Sequence, residues 1–117
     1  MFPRSGWRGR FSRFHSIGSD EVWQHVHGSP VELFLIDPGI SERQRVVLGP
    51  ADAGGGAEPV AVIPAGHWQA ARTLGGYALV TCTVAPGFEF SDFALLLNDA
   101  ADAELVRRHF PDVASLI

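Results

Sequence analysis

The stretch Asp20-Glu21-Val22-Trp23-Gln24-His25-Val26-His27-Gly28-Ser29-Pro30 reads as one β-strand with its closing turn. At period 2 it has two faces: Glu21, Trp23, His25 and His27 on one, Val22, Gln24 and Val26 on the other. Gly28-Ser29-Pro30 then stops it. Its neighbours repeat the pattern. Phe11–Ser16 is a first strand, closed by a turn at 17–20. Residues 31–37 form a third strand ending at Asp37-Pro38-Gly39, where proline presets φ and glycine is free to take φ > 0. Arg43–Leu48 is a fourth strand. The segment 49–58, with Gly54-Gly55-Gly56, is a loop. Val60–Ile63 is a short fifth strand, 76–84 a long sixth, and 88–97 a last extended segment. A helix closes the chain, with Asp99 as its cap, Leu105, Val106 and Phe110 as its apolar stripe, and Arg107 and Arg108 at its C-terminal dipole.

Short strands with turn signals at such intervals predict an all-β sandwich or closed barrel. No long helix-period segment alternates with them, which argues against a parallel α/β fold. At 117 residues and 46% hydrophobic content the chain suits one domain with a real core. Its 13 glycines and eight prolines fall between apolar runs, as punctuation of a turn-rich β fold. No run approaches the roughly 18 apolar residues of a membrane span. Residues 1–10 lack the apolar stretch of a secretory signal. The net charge of −4 argues against nucleic acid as a partner. Arg4, Arg8, Arg10 and Arg13 all precede the first acid, Asp20, so 1–10 reads as a basic N-terminal arm ahead of a domain at 11–117. Cys82 is the only cysteine, which excludes an internal disulfide and fits a reducing cytoplasm.

Two segments resemble the paired signatures of the cupin superfamily. The first places a histidine strand before a glutamate and a glycine seven positions later. Glu21 and Gly28 keep that spacing, and His15 falls where the first histidine belongs. The second is a Pro-x-Gly turn followed by a third histidine, and Pro64-Ala65-Gly66 supplies the turn. The chain is similar in more detail to one uncharacterised cupin subgroup, related in fold to deoxysugar-nucleotide epimerases. Its marks stand here as Phe14-His15, Asp20-Glu21-Val22-Trp23, the run from Pro64 to Ala70, and the run from Val84 to Phe93. The resemblance spans roughly residues 11–117. It implies a cupin-type double-stranded β-helix, a jelly-roll barrel, with a short C-terminal helix. Members usually carry a helix and further strands ahead of the Phe-His strand. Residues 1–10 show none, so a shortened barrel, or a start site chosen too far downstream, is expected.

In such barrels the glutamate points inward. The resemblance therefore puts Glu21, Trp23 and His25 on the cavity wall. The alternation alone equally permits Val22 and Val26 in the core, with His25 and His27 in solvent. The ligand-lining set it implies is His15, Glu21, Trp23, His25, Trp68, Gln69 and Phe88. Trp68 and Phe88 are stacking walls in that reading and plain core aromatics in the other. For a divalent transition metal the donors are His15, Glu21 and Gln69. The second ligand position holds Ile17, which cannot bind a metal, and an amide is a poor substitute for imidazole. His67 sits in the turn, facing either way. Acid–base chemistry has His15 as base, Glu21 as its orienting group and Tyr77 as the one tyrosine that can return a proton. A structural Tyr77 and a buried, inert Cys82 are the competing assignments.

The implied function is a cupin binding a small molecule, sugar-like or sugar-nucleotide-like. The alternatives are an isomerase or epimerase acting on a carbonyl-containing sugar derivative, and a non-catalytic oligomerising barrel with a vestigial pocket. No confident cofactor follows. A homodimer is expected, because Phe11–Ser16, without the preceding strands, would leave an unpaired edge.

Overall fold

The protein is described by a computed structural model covering residues 11–50, 55–84 and 93–117. Its elements are β1 (Phe11–Ser16), β2 (Glu21–Gly28), β3 (Val31–Ile36), β4 (Arg43–Leu48), β5 (Val60–Ile63), β6 (Trp68–Thr73), β7 (Ala78–Val84), β8 (Ala94–Leu95) and the helix α1 (Ala100–His109). Short 3-10 turns at Leu96–Asn98 and Pro111–Leu116 flank the helix. The strands form two antiparallel sheets, ordered β4-β3-β6-β1-β8 and β5-β2-β7. Together they make the all-β architecture that the strand and turn pattern predicts, in the jelly-roll form that the resemblance implies. Among the described residues no helix is long and apolar enough to cross a membrane.

The larger sheet is covered on both sides, and β3 shows it. All six of its residues, Val-Glu-Leu-Phe-Leu-Ile, are buried. Val31, Leu33 and Leu35 face the smaller sheet and pack with Trp23, Val80 and Cys82. Phe34 and Ile36 face the other way, against Val106, Val113 and Leu116 of the C-terminal segment. A strand buried on two faces reads as a continuous apolar run rather than an alternation. Glu32 interrupts that run at the sheet's outer face, where Arg45 and Arg72 neutralise it, the latter at 2.6 Å. Burial works to raise the Glu32 pKa, but the hydrogen bonds from the two guanidinium groups outweigh it and the net direction is down.

The smaller sheet has one covered face. Glu21, Trp23 and His25 are buried, whereas Val22, Gln24 and Val26 are exposed. A register shift between His25 and His27 in the β2–β7 ladder breaks the period, so His27 is exposed rather than sharing the face of Glu21. Gly28 closes the strand at φ 90°, in the left-handed region, with the Tyr77 carbonyl where a Cβ would stand.

Several sequence expectations change. Trp68–Thr73 is a strand that local pattern did not indicate. Ala70, Ala71 and Arg72 favour helix, and pairing with β3 and β1 overrides that preference. The positive φ of the turn after Asp37 falls on Ile40, at 56°, rather than on Gly39. Ile40 is buried in the outer core, and that burial offsets the strain of a β-branched residue there. Of 88–97, residues 88–92 lie outside the described residues, and the rest is a two-residue strand and a 3-10 turn. The helix forms as expected, with Asp99 accepting from the Asp102 N–H at 3.0 Å, but its buried positions are Ala103 and Val106, and Leu105 is exposed. The expected edge of β1 is covered in part, at His15 and Ser16. β1 lies between β6 and β8, paired with β6 from Phe11 to His15 and with β8 at His15 and Ser16.

Candidate functional site

Two hydrogen bonds join the signature segments. The Gly66 N–H donates to the Ile17 carbonyl at 2.8 Å, and the Ala65 N–H donates to Asp20 Oδ1 at 2.9 Å. The Pro64-Ala65-Gly66 turn is thereby fixed onto the turn between β1 and β2. That contact sets Gln69, just downstream on β6, against His15, upstream on β1, and the two are register partners. Leu35 of β3 pairs with Gln69 on its other side. Trp23 crosses from the opposite sheet, its Nε1–H donating to Gln69 Oε1 at 2.7 Å. The bond spans the barrel interior, which is why both partners are almost fully buried.

His15 and Glu21 are each 0% exposed. His15 Nδ1 lies 2.8 Å from the Arg13 carbonyl. A carbonyl only accepts, so Nδ1 carries a proton and donates it to this bond. The Phe93 ring stacks on this imidazole at 5.4 Å and 22°. Deeper along β2, the His25 Nε2–H donates to the Ser29 carbonyl at 3.0 Å. His15, Glu21, Trp23, His25 and Gln69 thus occupy the inner faces of the two sheets, as inward register requires.

Two of the sequence candidates, Trp68 and Tyr77, stand elsewhere. Trp68 precedes Gln69 on β6 and so points to the other side of the sheet. It packs in the outer core and donates to Asp102 Oδ2 at 3.3 Å. There it lines a cleft of about 390 Å³ with Phe93, Ala94, Leu95, Asn98 and Asp99, and Phe93 is shared with the His15 site. Tyr77 is 43% exposed, and its hydroxyl meets His27 Nδ1 outside the barrel. Phe88 lies outside the described residues. Cys82 is a fully buried thiol in the inner core, opposite Trp23 in the β2–β7 ladder.

The rim adds groups that sequence reasoning missed. A small cavity of about 40 Å³ is lined by Leu35, Asp37, Glu42, Gln44 and His67. Gln44 is the register partner of Leu35 and therefore shares its inner face. His67 Nδ1 is buried with no hydrogen-bond partner among the described residues. Asp37 accepts from the N–H groups of Glu42 and Ser41 and from the Ser41 hydroxyl, which holds its carboxyl down at about 2. Alternation along β4 from buried Leu48 would have shown Gln44 on the inner face. Asp20 carries no comparable signal, because its role depends on a turn 45 residues away.

The donor set does not fit a mononuclear transition metal. Ile17, 1% exposed, stands at one expected ligand position, and Gln69 Oε1 already accepts the indole proton. Among the described residues no group of three or more His, Cys, Asp or Glu side chains is arranged to hold an ion.

Two facing antiparallel sheets that enclose an imidazole, a carboxyl and an amide from the paired signature segments define a cupin-type barrel. The family described as Cupin superfamily (DUF985) matches residues 6–96, and the chain belongs to it. Among solved structures it is similar to a Shewanella oneidensis protein, at 29% identity and TM-score 0.72, covering 91% of this chain and 63% of that one. It is also similar to a hypothetical protein from Leishmania major, at 23% identity and TM-score 0.68, covering 94% and 66%. A sugar 3,4-ketoisomerase from Thermoanaerobacterium thermosaccharolyticum, solved in complex with TDP, matches at 17% identity and TM-score 0.55, covering 86% and 66%. The last two, at that identity, speak for the fold alone. No curated protein matches the sequence.

Proposed function

We propose that the barrel interior binds a sugar-like small molecule, held by His15, Glu21, Trp23, His25 and Gln69. The observation that carries this reading is the Trp23–Gln69 hydrogen bond, flanked by buried His15 and Glu21. A closed β core is ordinarily filled with apolar side chains, and converging polar groups in an otherwise apolar interior are the usual makings of a ligand site. Because one fold neighbour is a sugar 3,4-ketoisomerase, sugars are the first ligand class to try. Calorimetry with a panel of free sugars tests it. Saturable binding is expected, and its loss in Gln69→Ala assigns the site. Binding that ignores Gln69 contradicts the reading.

One observation favours isomerase chemistry as a second reading. The Arg13 carbonyl accepts from His15 Nδ1, so in the neutral ring Nε2 is the nitrogen for proton abstraction next to a carbonyl. Glu21 orients or relays in that scheme. Tyr77 has no part in it, since its hydroxyl is engaged by His27 on the outside. Solvent-deuterium incorporation into a bound ketosugar, abolished in His15→Ala, is the expected sign. Tight binding with no exchange leaves a binding protein.

The homodimer expected from sequence is better placed, in our proposal, on the outer face of β5-β2-β7. Val22, Val26, Val60 and Val62 are 36–58% exposed there, with Gln24, Leu79, Thr81 and Thr83 around them and no charge among the eight. A specific interface between two such faces needs roughly 1,000 Å² of buried surface in total. Light scattering at low micromolar concentration should report a dimer that Val26→Asp dissociates. A monodisperse wild-type monomer contradicts it.

A further inference from the structure

The charges of the described residues are sorted by face. Arg43 pairs with Asp112, and Arg45 and Arg72 pair with Glu32, all on the outer side of the larger sheet. The Arg43 and Arg72 guanidinium groups also lie over the Phe34 ring there, at 5.8 and 5.4 Å. Arg13 donates to the Ile117 carbonyl, Arg108 approaches Glu104 at 3.6 Å, and Arg107 is exposed on the last turn of α1. The chain contains no lysine, and only Arg4, Arg8 and Arg10 lie outside the described residues. The inner faces carry instead two amides (Gln44, Gln69), the Trp23 indole N–H, two imidazoles (His15, His25) and the Glu21 carboxyl, with the His67 imidazole at the rim. Asp37 and Glu42 stand at the rim.

We infer that the ligand of this site is an uncharged, hydroxyl-rich molecule, a free sugar or polyol, rather than a phosphate-bearing one. The inference rests on the barrel interior being a ligand site. Its grounds are the pairing rules of the two ligand classes. Phosphate and diphosphate groups are recognised by guanidinium forks, lysine or the N-terminus of a helix. Here each described arginine is turned away from the interior, and the N-terminus of α1 is capped by its own Asp99 beside Trp68, outside the larger sheet. A phosphate entering at the rim would also stand beside the Asp37 and Glu42 carboxylates, like charge against like. Neutral hydroxyls need what the walls do offer, a mixture of donors and acceptors at short range. The buried His67 Nδ1, open to one more hydrogen bond, belongs to that set.

Thermal shift and calorimetry on the full chain test this with D-xylose, D-glucose, D-glucose 1-phosphate and TDP-glucose. Free sugars should bind, with the two phosphorylated probes at least tenfold weaker. Gln44→Arg, which places a guanidinium at the rim, should narrow that gap for glucose 1-phosphate. Gln69→Ala should abolish binding, and His67→Ala at the rim should weaken it where Gln69→Ala fails to fold. Tenfold tighter binding of either phosphorylated probe, lost in these variants, overturns the inference and leaves the barrel site intact. Binding of any probe that neither variant changes overturns the site reading itself. No binding by the free sugars also overturns the inference.

Discussion

Replacing Trp23 with Phe and Gln69 with Leu, singly and together, interrogates the bond that spans the barrel. The indole N–H and amide oxygen are 2.7 Å apart and both side chains are about 1% exposed, so neither partner can turn to water when the other is removed. Trp23→Phe strands the amide oxygen, at about 1–3 kcal/mol, and adds a cavity cost for the smaller ring. Gln69→Leu strands the indole N–H at a similar cost, partly offset by burying an apolar side chain. The double variant strands neither group, so its loss should fall short of the sum by about 1–2 kcal/mol. Urea unfolding followed by circular dichroism measures all four proteins without relying on tryptophan emission. At this chain length 1 kcal/mol corresponds to about 4 °C in Tm, so the coupling is also visible by calorimetry. Additivity within about 0.5 kcal/mol would refute the bond and the inward orientation of both residues.

Asp20→Ala should cost about 1 kcal/mol by removing the acceptor of the Ala65 N–H, and should weaken ligand binding, because the 64–66 turn positions Gln69; unchanged binding in the folded variant would separate the two. Gly28→Ala should destabilise by about 2 kcal/mol, since φ is 90° and the new Cβ would meet the Tyr77 carbonyl at 2.6 Å; a neutral result in urea would mean that the turn relaxes freely. The Asp37 carboxyl has a folded pKa of about 2 against an ordinary 3.8. It therefore contributes stability that is complete above pH 3.8 and lost as pH falls through 2. The difference in stability between wild type and Asp37→Ala should shrink across that window, and a gap independent of pH would show that the turn does not depend on the carboxylate.

How far the fold was legible depended on whether its signals were local. Turn residues and alternation located β1 to β5 because those signals act over a few residues. Trp68–Thr73 escaped, since Gln-Ala-Ala-Arg carries no β pattern and is a strand only by pairing with β3 and β1. That omission had a consequence for the site. Once 68–73 is a strand, adjacent Trp68 and Gln69 must face opposite sides, and Trp68 leaves the cavity set. Period 2 puts His27 on the face of Glu21 because it has no way to register the bulge after His25. Of the site itself, the signature spacing located His15, Glu21 and Gln69 but not their neighbours. Gln44 and the Asp20 link depend on contacts between distant segments, and Glu32 is tolerable in a buried strand only because Arg45 and Arg72 arrive from strands on either side.

The two described tryptophans lie on opposite sides of the larger sheet, and each indole N–H is held by its own acceptor, Gln69 for Trp23 and Asp102 for Trp68. Their ¹H–¹⁵N cross-peaks therefore report separately on the barrel interior and on the outer core. Titration with D-glucose or D-xylose should move the Trp23 indole signal saturably, with the affinity found by calorimetry, and leave Trp68 in place. A saturable shift of Trp68 with Trp23 unmoved would contradict the assignment of the ligand site to the space between the sheets.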